Sequence, residues 1–273
     1  MMSASWDDGL AQGPEESEAP ELWDGLVALW MPSLGAQGGT LFDLSGHGYH
    51  GTLTNMTLDT AWAVGELGYA LDFDGTNDFV SLPSSIDVAA LPFTVSAWIF
   101  PRSYSDWRVI FGKRDSFLHS DMRFDVVLVI NTGGVRLTSE TVELTFAFSP
   151  PLNQWTALAI VADPASTTLY VDGRVQETLG AFTLGTDAGA AVSIGATDNG
   201  LSDRWNGRLD DIRLYTRALT PGEIAAMYAD RGAILRRRRG RRLWPSVTAP
   251  SLGIAQERNL FRRVYGRLFG RVN

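Results

Sequence analysis

From residue 26 to residue 215 the chain is a succession of short apolar runs, separated by clusters of Gly, Pro, Asp and Asn. In several runs every second position is apolar, the period of a strand with one buried face; others are nearly continuous, as in a strand buried on both faces. The pattern predicts strands over 26–31, 69–73, 79–82, 93–100, 109–113, 123–130, 135–148, 158–161, 168–171, 192–195 and 207–215. Residues 163–166 (DPAS) join one strand pair, and Asp172-Gly173 supplies the positive φ values that a tight hairpin needs for the next. One helix is predicted after Thr220, with Thr220 as N-cap, Pro221 at the first helical position and Glu223 closing a capping box. Ile224, Met227 and Tyr228 give it an apolar face, and Gly232 is placed to end it in a left-handed conformation. A basic run over 236–242 follows, then a linker over 245–250. Beyond it, Leu260/Phe261, Val264/Tyr265, Leu268/Phe269 and Val272 form a helical stripe beside arginines, weakened by Gly266 and Gly270.

Composition sharpens this picture. The chain has 273 residues, 45% of them hydrophobic, enough for a sizeable core, and its many glycines and prolines suit an all-β protein. It has no cysteine, so disulfides contribute nothing. The net charge of −8 is unevenly spread. Residues 1–24 carry seven acids and no base, residues 25–230 carry 23 acids and 11 bases, and residues 231–273 carry twelve arginines and one acid. The division expected is an acidic arm (1–24), a sandwich domain (25–230) and an Arg-rich tail (231–273) whose partner differs from that of the body. The first 25 residues lack the basic and apolar regions of a secretory signal, and no apolar run is long enough to span a bilayer. The expectation is synthesis in the cytosol, with any extracellular role reached by another route.

Several segments in order resemble the laminin-G-like jelly-roll domains of the concanavalin A-like lectin/glucanase superfamily. They are DLSGHGYHGT (43–52), ALDFDGTNDFV (70–80), FTVSAWI (93–99), Trp155, LYVDG (169–173), Ile194-Gly195 and WNGRLDDIRLYTRAL (205–219). The resemblance covers nearly all of 25–230 and implies an all-β, antiparallel two-sheet jelly-roll sandwich with one short C-terminal helix. It also implies a binding or adhesion module, often with a structural calcium ion. Matched residue by residue, Asp43, Asp78 and Asp210 become the candidate calcium ligands; the competing reading has Asp43 and Asp78 hydrogen-bonding their own turns.

Some members of that superfamily hydrolyse glycosides, which takes two closely spaced carboxylates. No strand carries Glu-x-Asp-x-x-Glu, and Asp210 and Asp211, adjacent on a strand, are expected on opposite faces. No Cys and no Gly-x-Ser-x-Gly setting offers a nucleophile, so the chain is expected not to be an enzyme. His47, His50 and His119 invite a metal or triad reading, with which a structural role competes for His47 and His50 in their glycine-rich loop. Sugar binding uses aromatic faces flanked by polar groups; Tyr104, Trp107 and Trp205, near Asp106, Asp198, Asn199 and Asp203, are the candidates, against packing of both tryptophans at the core edge. The partner-binding candidates are Arg236, Arg237, Arg238 and Arg239 with Phe261, Tyr265 and Phe269. For the tail, a protein groove is preferred over nucleic acid or a membrane surface. The functional expectation is a non-catalytic structural protein of a large assembly, a bacteriophage virion above all, that displays a lectin-like jelly roll; an extracellular bacterial carbohydrate-binding module is the alternative.

Overall fold

The computed structural model describes residues 10–115, 122–129, 131–186, 189–197 and 202–238. The tail beyond Arg238, which holds Arg239, Phe261, Tyr265 and Phe269, lies outside the described residues, as do His119, Asp198 and Asn199.

The strands in chain order are β1 (Leu26–Trp30), β2 (Thr40–Leu41), β3 (Gly51–Thr54), β4 (Trp62–Val64), β5 (Tyr69–Asp74), β6 (Phe79–Leu82), β7 (Phe93–Pro101) and β8 (Arg108–Arg114). They continue as β9 (Met122–Leu128), β10 (Val135–Thr138), β11 (Glu143–Thr145), β12 (Thr156–Ala162), β13 (Thr167–Val171), β14 (Arg174–Leu179), β15 (Val192–Ile194) and β16 (Asn206–Tyr215). Two short helices are α1 (Leu58–Ala61) and α2 (Pro221–Ala229). The first sheet has the order β14-β13-β12-β7-β16-β5-β4, with β1 also paired to β16; the second runs β11-β10-β9-β8-β15-β6-β3-β2. Every pairing is antiparallel. This is the all-β sandwich expected from the apolar pattern.

Strand alternation builds the core between the sheets. Phe93, Val95, Ala97 and Ile99 of β7 and Leu158, Ile160 and Ala162 of β12 meet Phe124, Val126 and Leu128 of β9 there. The intervening residues of the first sheet face outward but are not solvated. Ala159, Val161, Tyr170 and Tyr215 join a second apolar cluster with Leu22, Leu29, Ile224, Met227, Ile234 and Leu235. The sheet is therefore covered on both faces, its outer one by α2 and by the segments that flank the predicted domain.

Four sequence expectations change. The strand predicted over 135–148 is a hairpin of β10 and β11, because Ser139 turns the chain: its N–H reaches Val142 O at 2.8 Å and its Oγ accepts from Val142 N at 3.3 Å. The capping box on α2 is present, but Gly232 has φ of −84° and does not end the helix in a left-handed turn. Instead the chain continues into a 3-10 turn over Ala233–Leu235 that buries Ile234 and Leu235. The acidic segment is not a free arm over its described part: Leu22 is buried, and Ser17 Oγ and Trp23 Nε1 both donate to Ile234 O, at 2.6 and 3.1 Å. The packing accordingly continues past Asp230 to at least Arg238.

The fourth change is at Asp210 and Asp211. Asp211 has φ of 48°, and the pairing of β16 with β7 slips between Asp210 and Arg213. The extra residue breaks alternation, so Leu209 and Ile212, three apart, both face the core. Asp210 and Asp211 consequently share one buried ionic network: Arg213 forks onto Asp211 at 2.7 and 2.9 Å and donates to Arg231 O, while Arg231 pairs with Asp210 at 2.8 Å. Arg231 also lies over the Trp98 ring, 4.6 Å from its centroid.

Candidate functional site

The outward face of the second sheet carries polar side chains where the first sheet carries apolar ones. On β9 the residues between the core-facing ones are Arg123, Asp125 and Val127; on β10 they are Arg136 and Thr138. Register brings them side by side: Val127 pairs with Arg136, Asp125 with Thr138 and with Gly112, Arg136 with Thr145, and Thr138 with Glu143. Gly112 is needed for close approach. A Cβ there would lie 2.1 Å from Asp125 Oδ1, so only glycine lets the carboxylate lie across β8.

Above this floor is an open groove of about 270 Å³ lined by Trp107, Arg114, Met122, Val127, Arg136, Thr138, Glu143 and Asp203. Two arginines organise it. Arg114 donates to the fully buried Asp125 at 3.1 Å and lies 3.9 Å from Asp203. Arg136 donates to Glu143 at 2.8 Å and to Thr145 Oγ1 at 2.7 Å, and its guanidinium stacks 4.9 Å from the Trp107 ring centroid. Burial pushes the Asp203 carboxyl above its ordinary range, opposed by Arg114 and by the hydrogen bond from Thr197, at 3.2 Å. The result is an aromatic ring beside alternating cations and carboxylates, a surface suited to a polyhydroxylated ligand.

Of the three aromatic candidates, only Trp107 lines this groove. Trp205 is fully buried in the core, so neither ring face can stack on a sugar, and packing replaces the ligand role. Tyr104 is partly buried against the core and packs over Gly133, where a Cβ would come within 2.5 Å of its ring. Burial pushes its phenol upward in pKa, and its hydroxyl has no hydrogen-bond partner among the described residues.

The candidate metal ligands each accept hydrogen bonds from within the chain. Asp43 accepts from Leu29 N, Ser45 N, Ser45 Oγ and Tyr49 N at 2.8–3.0 Å, the turn-bonding alternative in full. Asp78 accepts from Asp74 N at 3.0 Å, and burial, with the charges of Asp74 and Asp72, raises its carboxyl pKa against that bond. Asp210 accepts from Ser33 N, Asp211 N and Arg231. Among the described residues no group of three His, Cys, Asp or Glu side chains could hold a metal ion. An arginine-paired carboxylate and one saturated by N–H and O–H donors do not fit a shared calcium site. His47 and His50 serve the same loop: His50 Nδ1 accepts from Asp43 N at 3.0 Å, and His47 stacks on Tyr49.

The basic-run residues within the described part are engaged inside the chain. Arg236 pairs with Glu18 at 2.7 Å and with Asp230; Arg237 donates to Leu10 O at 3.0 Å and lies 3.2 Å from Glu16; Arg238 N donates to Glu16 O at 2.6 Å. Their partner is the acidic segment, whose opposite charge the sequence displayed without showing the pairing.

A family model for the concanavalin A-like lectin/glucanases superfamily, of laminin-G type, matches residues 74–225, more than half of the chain. The chain belongs to this superfamily. Among solved structures, this concanavalin A-like domain is similar to domain 4 of AbnA, an extracellular arabinanase from Geobacillus stearothermophilus, in complex with arabinotriose. That match has 22% identity and a TM-score of 0.59, over 78% of this chain and 100% of the other. It is also similar to the receptor binding domain of botulinum neurotoxin D (12% identity, TM-score 0.58, 77% of this chain and 54% of that one). A third likeness is to Trypanosoma rangeli sialidase in complex with sialic acid (15% identity, TM-score 0.54, 77% of this chain and 33% of that one). The chain thus spans about half of the toxin domain and a third of the sialidase, and at these identities the likeness is one of fold. No curated protein sequence matches the chain.

The groove residues Arg114, Asp125, Arg136, Thr138 and Glu143 were not singled out from the sequence. The signal was there as a charged residue, Asp125, in the middle of an apolar strand and a glycine, Gly112, inside another.

Proposed function

We propose that this domain is a non-catalytic glycan-binding module whose binding surface is the groove over β8–β11. The observation that carries this reading is the Trp107–Arg136 stack beside Glu143, Asp203 and the Arg114–Asp125 pair, in a groove on a lectin-like sandwich. The arabinotriose held by the AbnA domain and the sialic acid held by the sialidase lend it support by analogy of fold. Against hydrolysis, two of the three groove carboxylates are engaged within the chain: Asp125 is fully buried on Arg114, and Glu143 is paired with Arg136. The test is a glycan array probed with the full chain and with Trp107→Ala. The wild type should retain a defined set of glycans, the variant should lose at least about tenfold in affinity, and neither should release reducing sugar from any bound glycan. Equal retention by the variant would remove the groove from the proposal.

Display on a larger assembly such as a virion is the second reading. What favours it is the change of composition after residue 230, where twelve arginines stand against one acid over 231–273. The described part of the former arms supports it less, since those residues bind their own sandwich.

A further inference from the structure

We infer that the groove selects neutral, hydroxyl-rich glycans over acidic ones, with Glu143 withholding Arg136 from a ligand carboxylate and Thr138 serving as a buried hydroxyl anchor. This rests on the glycan-binding reading and adds a ligand class to it.

The charges decide the class. Two guanidiniums, Arg114 and Arg136, meet three carboxylates: Asp203 and Glu143 on the lining and Asp125 beneath. An acidic sugar is recognised through bidentate arginine contacts, but both arginines already hold carboxylates of this chain, Arg114 at 3.1 Å and Arg136 at 2.8 Å. A ligand carboxylate would have to displace one of those partners and then face the displaced charge. A sugar hydroxyl both donates and accepts, so it can bridge a guanidinium and a neighbouring carboxylate without breaking either pair.

Thr138 is the independent sign of a ligand. It lines the groove, is only 5% exposed, and its Oγ1 has no hydrogen-bond partner among the described residues. Buried hydroxyls are ordinarily satisfied, and a ligand hydroxyl is a partner of the right chemistry at that place. Selection against acids then comes from the like charges on the groove wall, a repulsive element that neutral sugars do not feel.

The experiment uses the full chain and matched probes: lactose against sialyllactose, with arabinotriose and the neutral and acidic members of an array. Each neutral probe that binds should do so at least about tenfold more tightly than its acidic counterpart. Glu143→Gln, a half-exposed position on the short edge strand β11, should cut that preference to about threefold or less. Thr138→Val should weaken neutral binding about tenfold while leaving the neutral-to-acidic ratio in place; thermal melts of both variants confirm folding. Acidic probes bound as well as neutral ones, or a ratio unmoved by Glu143→Gln, would overturn the inference while leaving glycan binding intact. Wild-type silence towards every glycan would overturn glycan binding and the inference together.

Discussion

Asp43 shows what a single carboxylate can do in this fold. Its two oxygens collect three backbone N–H groups and one hydroxyl, tying the glycine-rich loop at Ser45–Tyr49 to β1 through Leu29. Hydrogen bonds to a charged acceptor are among the stronger ones, and removing the acceptor strands several donors away from water. Asp43→Ala should therefore destabilise the domain by about 3 kcal/mol, and chelator should leave the wild-type melt unchanged. Denaturant curves of both proteins with chelator and with added calcium check this. A wild-type transition that falls in chelator, and an Asp43 variant indifferent to it, would restore the ion. The motif of residues 43–52 was legible in the sequence, where a calcium loop and a self-bonding loop place Asp and Gly alike. The difference lies in which donors reach the carboxylate, and Leu29 comes from another strand.

At the scale of elements, β16 repays attention because its apolar positions slip phase. Leu209, Ile212 and Leu214 all face the core, which regular alternation forbids, and the positive φ of Asp211 absorbs the extra residue. The spacing was visible in the sequence, yet alternation was assumed, so Asp210 and Asp211 were expected on opposite faces. Their shared burial has an electrostatic cost. Burial and the neighbouring Asp211 push the Asp210 carboxyl from 3.8 up to about 7, and Arg231 with the two N–H donors offsets this only in part. A carboxyl with a raised folded pKa binds more protons folded than unfolded between pH values near 4 and 7. Its contribution to stability is therefore greatest below that window and declines as pH rises through it. Asp210→Asn should remove that decline, which is at most about 1.4 kcal/mol per pH unit. The check is the difference in unfolding free energy between the two proteins at several pH values: it should shift in favour of the variant from pH 4 to pH 7. A difference that is flat with pH would mean the group is ionised throughout. The hairpin of β10 and β11 was hidden for a related reason. Its turn is made by Ser139 rather than by Gly or Pro, so nothing in the pattern of residues 135–148 marked the reversal that sets Thr138 opposite Glu143.

For the molecule as a whole, the family resemblance and the strand pattern both stop near residues 25 and 230, but the packing does not. Leu22, Ile234 and Leu235 fill the outer face of the first sheet, where the outward residues of β12 and β16 are apolar. That face could have been recognised as needing a cover from Ala159, Val161 and Tyr215. What the sequence could not supply is which segments cover it, since the acidic residues before 25 and the arginines after 230 both have the composition of solvated arms. Charge complementarity closes the arrangement: Arg236 joins Glu18 and Asp230, and Arg237 reaches Glu16. Each pair is half-exposed and adds at most about 1 kcal/mol, whereas three buried aliphatic side chains contribute about 5–9 kcal/mol before ordering costs, at about 1.5–3 each. That sum is comparable with the whole stability of a domain, about 5–15 kcal/mol, and removing Arg231 as well would strip Asp210 of its cation. A chain of residues 10–238 should thus unfold cooperatively like the full protein. A chain of residues 25–230 should melt at least about 10 °C lower, given about 2–4 °C per kcal/mol at this size, or aggregate through the uncovered sheet. Melts at increasing salt separate the two contributions: if the apolar cover dominates, the 10–238 chain keeps its advantage when the ion pairs are screened. An advantage that vanishes in high salt would assign the cover to the arginines instead, and a 25–230 chain as stable as the longer one would return the boundary to where the strand pattern ends.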